Sequence, residues 1–161
     1  MKTKLVKSII APLLFASALV SMVAQTATGQ GTQGGRLQGT WENQVTLTDC
    51  AGHVIRSFPT IQEFIAGGTT VESSAGTPQA LKTPGLGVWR HTTGNNYAFR
   101  FKFFTFNAQN VFTGWTIIAG ETTVDSTGNA NAGSATVEVY DPNGVLIATA
   151  CTEVAGTRFE L

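Results

Sequence analysis

The sequence predicts an all-β domain built as an eight-stranded antiparallel up-and-down β-barrel, and three observations carry that prediction. From Leu37 onward no helical spacing of apolar residues lasts beyond a turn or two. Thr, Val, Phe and Gly are abundant there, and turn-forming residues recur about every ten residues. The expected strands are Leu37 to Asp49, Thr60 to Ile65, Thr69 to Ser74, Leu86 to Thr92, Tyr97 to Asn107, Val111 to Val124, Gly133 to Asp141 and Val145 to Phe159. Closing eight strands into a cylinder removes both exposed sheet edges.

The connectors fit hairpins: Ala66-Gly67-Gly68, Thr93-Gly94-Asn95, Asn107 to Asn110, Ser126 to Ala132, and Asp141-Pro142-Asn143-Gly144. Two are long, Cys50 to Pro59 and Ser74 to Gly85, and the second, with "GTPQALKTPG", is read as holding a short helical turn. In a meander, successive loops alternate between ends. Both long loops therefore lie at one end, the mouth, with Arg56, Phe58 and Lys82 as lid candidates.

Parity assigns the faces. Pairing across Thr93-Gly94 sets Val88, Arg90, Tyr97, Phe99, Phe101 and Phe103 inward and Trp89 outward. The next hairpin sets Gly114, Thr116, Ile118 and Gly120 beside the aromatic row, an alternation of large and small side chains suited to a narrow interior. Trp89, Trp115, Phe104 and Phe106 then form an outer apolar patch, a candidate contact between copies of the chain.

At the N-terminus, Lys2, Lys4 and Lys7 precede an apolar run from Ile9 to Val23, followed by small Ala24 and Ala27. This is the pattern of a secretory signal peptide, expected over residues 1–27 and removed on export to the periplasm or exterior. The run is 15 residues and broken by Pro12, shorter than the roughly 20 apolar residues a spanning helix needs, so no stable membrane insertion is expected. A polar lead-in covers 28–36 and the barrel domain 37–161. The chain has ten basic and ten acidic residues; without the three leader lysines seven face ten, about −3, which offers no basic footprint for nucleic acid.

Gly39-Thr40-Trp41 entering the first strand, with Arg158 near the end of the last ("AGTRFEL"), resembles the calycin superfamily of lipocalins, fatty-acid-binding proteins and avidins. The resemblance implies that Trp41 plugs the closed end and Arg158 lies over its ring. "GTWENQ" is also similar to the avidin opening, where the Asn after the Trp faces the ligand, which makes Asn43 a candidate polar contact. Avidin's later tryptophan motif has no clear counterpart here, which argues against biotin. "GVWRHTTGNNYAFRFKFFTFN" resembles small exported bacterial barrel proteins of unassigned role.

Cys50 and Cys151 fall on the first and last strands, neighbours in a closed barrel, so an exported chain is expected to join them in a disulfide. The competing reading makes "DCAGH" a thiol beside a histidine. His53 and His91 stand on separate elements and there is no Cys-x-x-Cys, so no metal is expected; no phosphate loop or Gly-x-Ser-x-Gly appears, so no cofactor and no catalytic motif is expected.

The leading functional expectation is a small, largely apolar ligand bound by Asn43, Arg90, Tyr97, Phe99, Phe101, Phe103 and Ile118, with Asn43, Arg90 or Tyr97 as polar handle. One alternative is a small cyclase or isomerase of the allene-oxide-cyclase or dirigent barrel type, which requires an inward acid or base such as Glu63, Glu121 or Tyr97. The other is a filled, non-catalytic envelope or secreted interaction module. The balance lies against an enzyme.

Overall fold

The computed structural model of the chain describes residues 35–161, so the expected signal peptide and all of the lead-in before Gly35 lie outside the described residues. Eight antiparallel strands close in sequence order: β1 (Gly39–Thr48), β2 (Val54–Ile65), β3 (Thr69–Ser74), β4 (Gly85–Thr93), β5 (Asn96–Phe106), β6 (Phe112–Val124), β7 (Ala130–Tyr140) and β8 (Leu146–Arg158). The ladder closes where β8 pairs with β1, from Trp41 opposite Arg158 to Thr48 opposite Cys151. That closure brings Cys50 and Cys151 to a Cα separation of 4.9 Å, and they form a disulfide across 101 residues of sequence. The thiol of "DCAGH" is therefore committed to a structural bond. Beside it, His53 pairs with Asp49 at 2.7 Å on an exposed turn.

Two expectations are corrected. The connector after β1 is not long: β2 begins at Val54, and Arg56, Phe58 and Pro59 pair with Leu47, Val45 and Gln44. Pro59, which suggested a break, sits on the outer face of a continuous strand. The turn from Asp49 to His53 is tight because the Asp49 carboxylate accepts the backbone N–H of Ala51 and of His53, while Cys50 and Gly52 take positive φ. The β3–β4 connector is the long one, and it holds the expected helical turn, a 3-10 turn at Gln79–Leu81.

The second correction concerns β4. Trp89 pairs with Phe99 and is 4% exposed, whereas Arg90 pairs with Ala98 on the outer wall. The hairpin closes with Thr93 opposite Asn96, and the ladder then slips at Thr92 before His91 meets Tyr97. One bulged residue exchanges the two faces of everything beyond it. Val88 and Leu86 consequently face outward and Trp89 joins the core. The outer aromatic group lacks Trp89; it consists of Phe104, Phe106, Phe112, Trp115 and Tyr140, with Phe112 and Tyr140 stacked on Trp115 at centroid distances of 6.5 and 5.7 Å.

The closed end is filled with rings. Leu37, Trp41, Phe64, Trp89, Tyr97 and Val124 form a buried cluster, with Trp89 edge-on to both Phe64 and Tyr97 at 5.9 Å. Buried indoles must find acceptors. Trp41 Nε1 donates to the Leu37 carbonyl at 2.8 Å and Trp89 Nε1 to that of Ile65 at 3.0 Å.

The Gly-x-Trp and the distant arginine turn out to be one device. The Arg158 guanidinium lies 4.4 Å from the Trp41 ring centroid and donates to the carbonyls of Gly128, Gln38 and Arg36 at 3.0, 2.7 and 2.6 Å. Gly39 has φ +117°, which side chains with a Cβ rarely adopt, and a Cβ there would stand 2.7 Å from Arg158 Nη1. Glycine at this position lets the arginine reach three strand and loop ends at once.

Candidate ligand cavity

Above the floor the barrel is hollow, with a cavity of about 270 Å³. It is roughly the volume of nine liquid waters, and larger than the 150 Å³ apolar cavity known to admit a benzene-sized molecule. Its lining rises from Asn43, Gln62 and Phe99, just above the ring cluster, to Leu47, Arg56, Phe58 and Val139 near the mouth. The two walls differ in chemistry because the strands that build them do.

One wall is apolar. On β5 the inward positions are Phe99, Phe101 and Phe103, paired on β6 with Gly120, Ile118 and Thr116. Phe99 and Phe101 stack with centroids 6.1 Å apart. Small or branched partners on β6 leave room for the rings to lean, and Ala135, Val137 and Val139 of β7 continue the surface. The cavity stays open here because β7 and β8 contribute mostly alanine and valine rather than long side chains.

The other wall is polar. Asn43, Thr60 and Ser74 lie in register across β1, β2 and β3, with Gln62 opposite Glu72 one step deeper. Most of these groups are satisfied by protein. Asn131 Nδ2 donates to Asn43 Oδ1 at 3.0 Å, reaching past Gly156, where a Cβ would collide with the Asn43 side chain. Gln62 Nε2 donates to Thr70 Oγ1 at 3.2 Å.

Lys82, on the β3–β4 loop, is fully buried and donates to Glu72 Oε2 at 3.1 Å and to Ser74 Oγ at 3.0 Å. Its ammonium also lies 4.6 Å from the Phe103 ring centroid. A buried cation is tolerated only with such a set of partners. The loop is held down further where Thr83 N donates to the Phe104 carbonyl at 3.0 Å. Thr60 is the exception. Its residue is 7% exposed, and among the described residues its Oγ1 is the buried side-chain oxygen without a hydrogen-bond partner.

At the mouth, Phe58 packs under Gly76, where a Cβ would be 2.7 Å from the ring, and the Arg56 guanidinium covers Phe58 at 5.3 Å. The lid candidates thus divide. Arg56 and Phe58 border the entrance from a strand, while Lys82 is locked inside the wall.

Of the residues singled out from sequence, Asn43, Phe99, Phe101, Phe103 and Ile118 line the cavity. Tyr97 does not; it is completely buried in the floor, where burial raises its phenol above the ordinary value. Arg90 lies on the outer wall, so the bulge at Thr92 removes it from any interior site. Glu63 and Glu121 are also exposed. Glu72 carried no sequence signal because "TTVESS" reads most simply with the apolar Val71 inward, and Thr60, a lone threonine after Pro59, carried none either. The structure instead turns Thr70, Glu72 and Ser74 inward, where Lys82 arriving from the loop meets Glu72.

Among the described residues no group of three or more His, Cys, Asp or Glu side chains could hold a metal, and no helix is long and apolar enough to cross a membrane. No protein-family model and no curated protein matches this sequence. The closed eight-stranded antiparallel barrel is consistent with a calycin-like fold.

Proposed function

We propose that this chain is an exported binding protein that carries a small, largely apolar molecule inside its barrel. The observation behind the proposal is the cavity of about 270 Å³ with aromatic and aliphatic side chains on one wall and a short polar row on the other. Small-molecule sites are typically concave and mostly apolar, with a few polar groups that fix orientation. Phe99, Phe101, Phe103 and Ile118 supply the apolar contacts and Asn43 a polar one. The ring-filled floor leaves the mouth, between Phe58 and the β3–β4 loop, as the entrance. The Cys50–Cys151 bond suits an oxidising compartment, in keeping with removal of residues 1–27 on export.

A binding role is favoured over a cyclase or isomerase by the state of the inward acid. Glu72 faces the cavity, but its carboxylate is tied to the Lys82 ammonium at 3.1 Å, which fixes the side chain to the wall rather than leaving it free to reach a substrate. The test is native mass spectrometry of the purified full chain after incubation with an apolar metabolite extract. A discrete mass increase that disappears on denaturation is expected. Absence of any adduct across extracts, with no binding of apolar ring probes, would refute the proposal.

A further inference from the structure

The geometry points to a ligand with one uncharged hydrogen-bonding group, a hydroxyl or a carbonyl, which it presents to Thr60 while its apolar body lies against Phe101 and Phe103. This inference rests on the binding reading above and specifies the chemistry of the molecule bound.

The polar wall is nearly complete without a ligand. Asn43 is engaged by Asn131, Gln62 by Thr70, and Glu72 and Ser74 by Lys82. At the depth of Thr60 the Glu72 carboxylate is paired with the buried Lys82 ammonium, while the Arg56 guanidinium stands nearer the mouth over Phe58. An ionised ligand group brought to Thr60 would meet no unpaired opposite charge at that depth to offset its desolvation.

Among the fully buried side-chain nitrogens and oxygens of the described residues, the one left without a hydrogen bond belongs to Thr60. Thr60 lines the cavity and stands between Asn43 and Ser74 in the cross-strand row; its Oγ1 is closed off from open space and has no partner among the described residues, and a turn about χ1 exchanges that oxygen with the methyl group. Leaving a buried hydroxyl unmade is unfavourable, so such a group in a cavity wall marks a place where a bound molecule supplies the missing bond. A threonine hydroxyl both donates and accepts and turns about a single torsion among staggered positions. It therefore matches either a carbonyl or a hydroxyl and no particular charge. Across the cavity, Phe101 and Phe103 present ring surface and Ile118 and Thr116 the gaps between them. A molecule bound between the walls keeps its apolar bulk on β5 and β6 and its polar atom on β2.

The test uses three two-ring probes, naphthalene, 2-naphthol and 2-naphthoate, titrated into the purified full chain and into Thr60→Val and Thr60→Ser. Valine keeps the shape of threonine and favours strand, and serine keeps the hydroxyl, so both variants are expected to fold. The expected result is that T60V weakens 2-naphthol about threefold to tenfold, the range of one net hydrogen bond. Naphthalene should stay within about twofold, T60S should hold 2-naphthol close to wild type, and 2-naphthoate should bind most weakly of the three. If naphthalene and 2-naphthol both bind but T60V affects them equally or not at all, the handle is wrong and the pocket stands. If 2-naphthoate binds more tightly than 2-naphthol, the inference is overturned in favour of an anion near Arg56. Failure of all three probes to bind the wild-type chain would overturn the pocket and this inference together.

Discussion

Arg158 gives the most exacting test of how the barrel is closed. Replacing it with alanine removes three hydrogen bonds to the carbonyls of Gly128, Gln38 and Arg36 and the cation over Trp41. Bonds from a charged donor are worth about 1.5 to 3 kcal/mol each when buried. This side chain is only part-buried, so about 1 kcal/mol each is the better figure, with about 1 kcal/mol more from the ring contact. Arg158→Ala should then cost about 4 kcal/mol, a large share of the roughly 5 to 15 kcal/mol that holds such a domain together. Arg158→Lys keeps the charge over the indole but cannot span three carbonyls, and should cost about half as much.

Urea unfolding followed by tryptophan fluorescence measures both, since Trp41 and Trp89 leave a buried core on unfolding. Gly39→Ala should also be strongly destabilising in the wild-type background and less so beside Arg158→Ala, because its clash with Nη1 is then gone. A loss below about 1 kcal/mol for Arg158→Ala, or full additivity of the two substitutions, would refute the idea that glycine and arginine act as one latch.

Three further outcomes are expected. Converting Cys50 and Cys151 to alanine frees a loop spanning 101 residues and should cost up to about 4.7 kcal/mol on the chain-entropy account; equal denaturant midpoints for the oxidised and cysteine-free forms would contradict this. Thr60→Val should raise the stability of the unliganded protein by about 1 kcal/mol, because it removes a buried hydroxyl with no partner, and a lower midpoint would show that this hydroxyl is already satisfied.

The third outcome concerns acid. Asp125 is held at about 2 by the Thr127 hydroxyl and by backbone N–H groups of Ala130, Asn129 and Gly128. Asp49 is lowered chiefly by His53, and Asp141 chiefly by the Val145 N–H. These groups titrate below their unfolded value of 3.8, so their contribution is present above about pH 4 and is lost as pH falls toward 2. A melting temperature that falls over that window, and falls less steeply in Asp125→Asn, is expected; a flat profile from pH 5 to 2 would count against it.

Much of the architecture was legible because closure depends on local signals. The turns at Ala66-Gly67-Gly68, Asn107 to Asn110 and Asp141 to Gly144 and the aromatic row of β5 are all short-range features, and the register of β5 against β6 followed from the second turn and that row. What was not legible depends on single-residue events or distant partners. The bulge at Thr92 leaves no distinctive residue in "HTTGNN", yet it decides that Trp89 rather than Arg90 enters the barrel. Glu72 turns inward and meets its partner, Lys82, from the loop that follows β3. Asn43, Phe99, Phe101, Phe103 and Ile118, which line the cavity, lie on strands without such an irregularity between them and their nearest cross-strand partners. Gly39 was readable as a motif, but the reason for it, a guanidinium passing where a Cβ would stand, required coordinates.

The central claim is that an apolar molecule enters the barrel rather than adhering to its outer wall. Isoleucine methyl NMR during titration with naphthalene tests this directly, because Ile118 lines the cavity while Ile61, Ile65 and Ile147 are exposed on the surface. A saturable shift of the Ile118 methyl signal, with those three unmoved, is the predicted result; shifts confined to the outer isoleucines, with Ile118 unchanged, would contradict it.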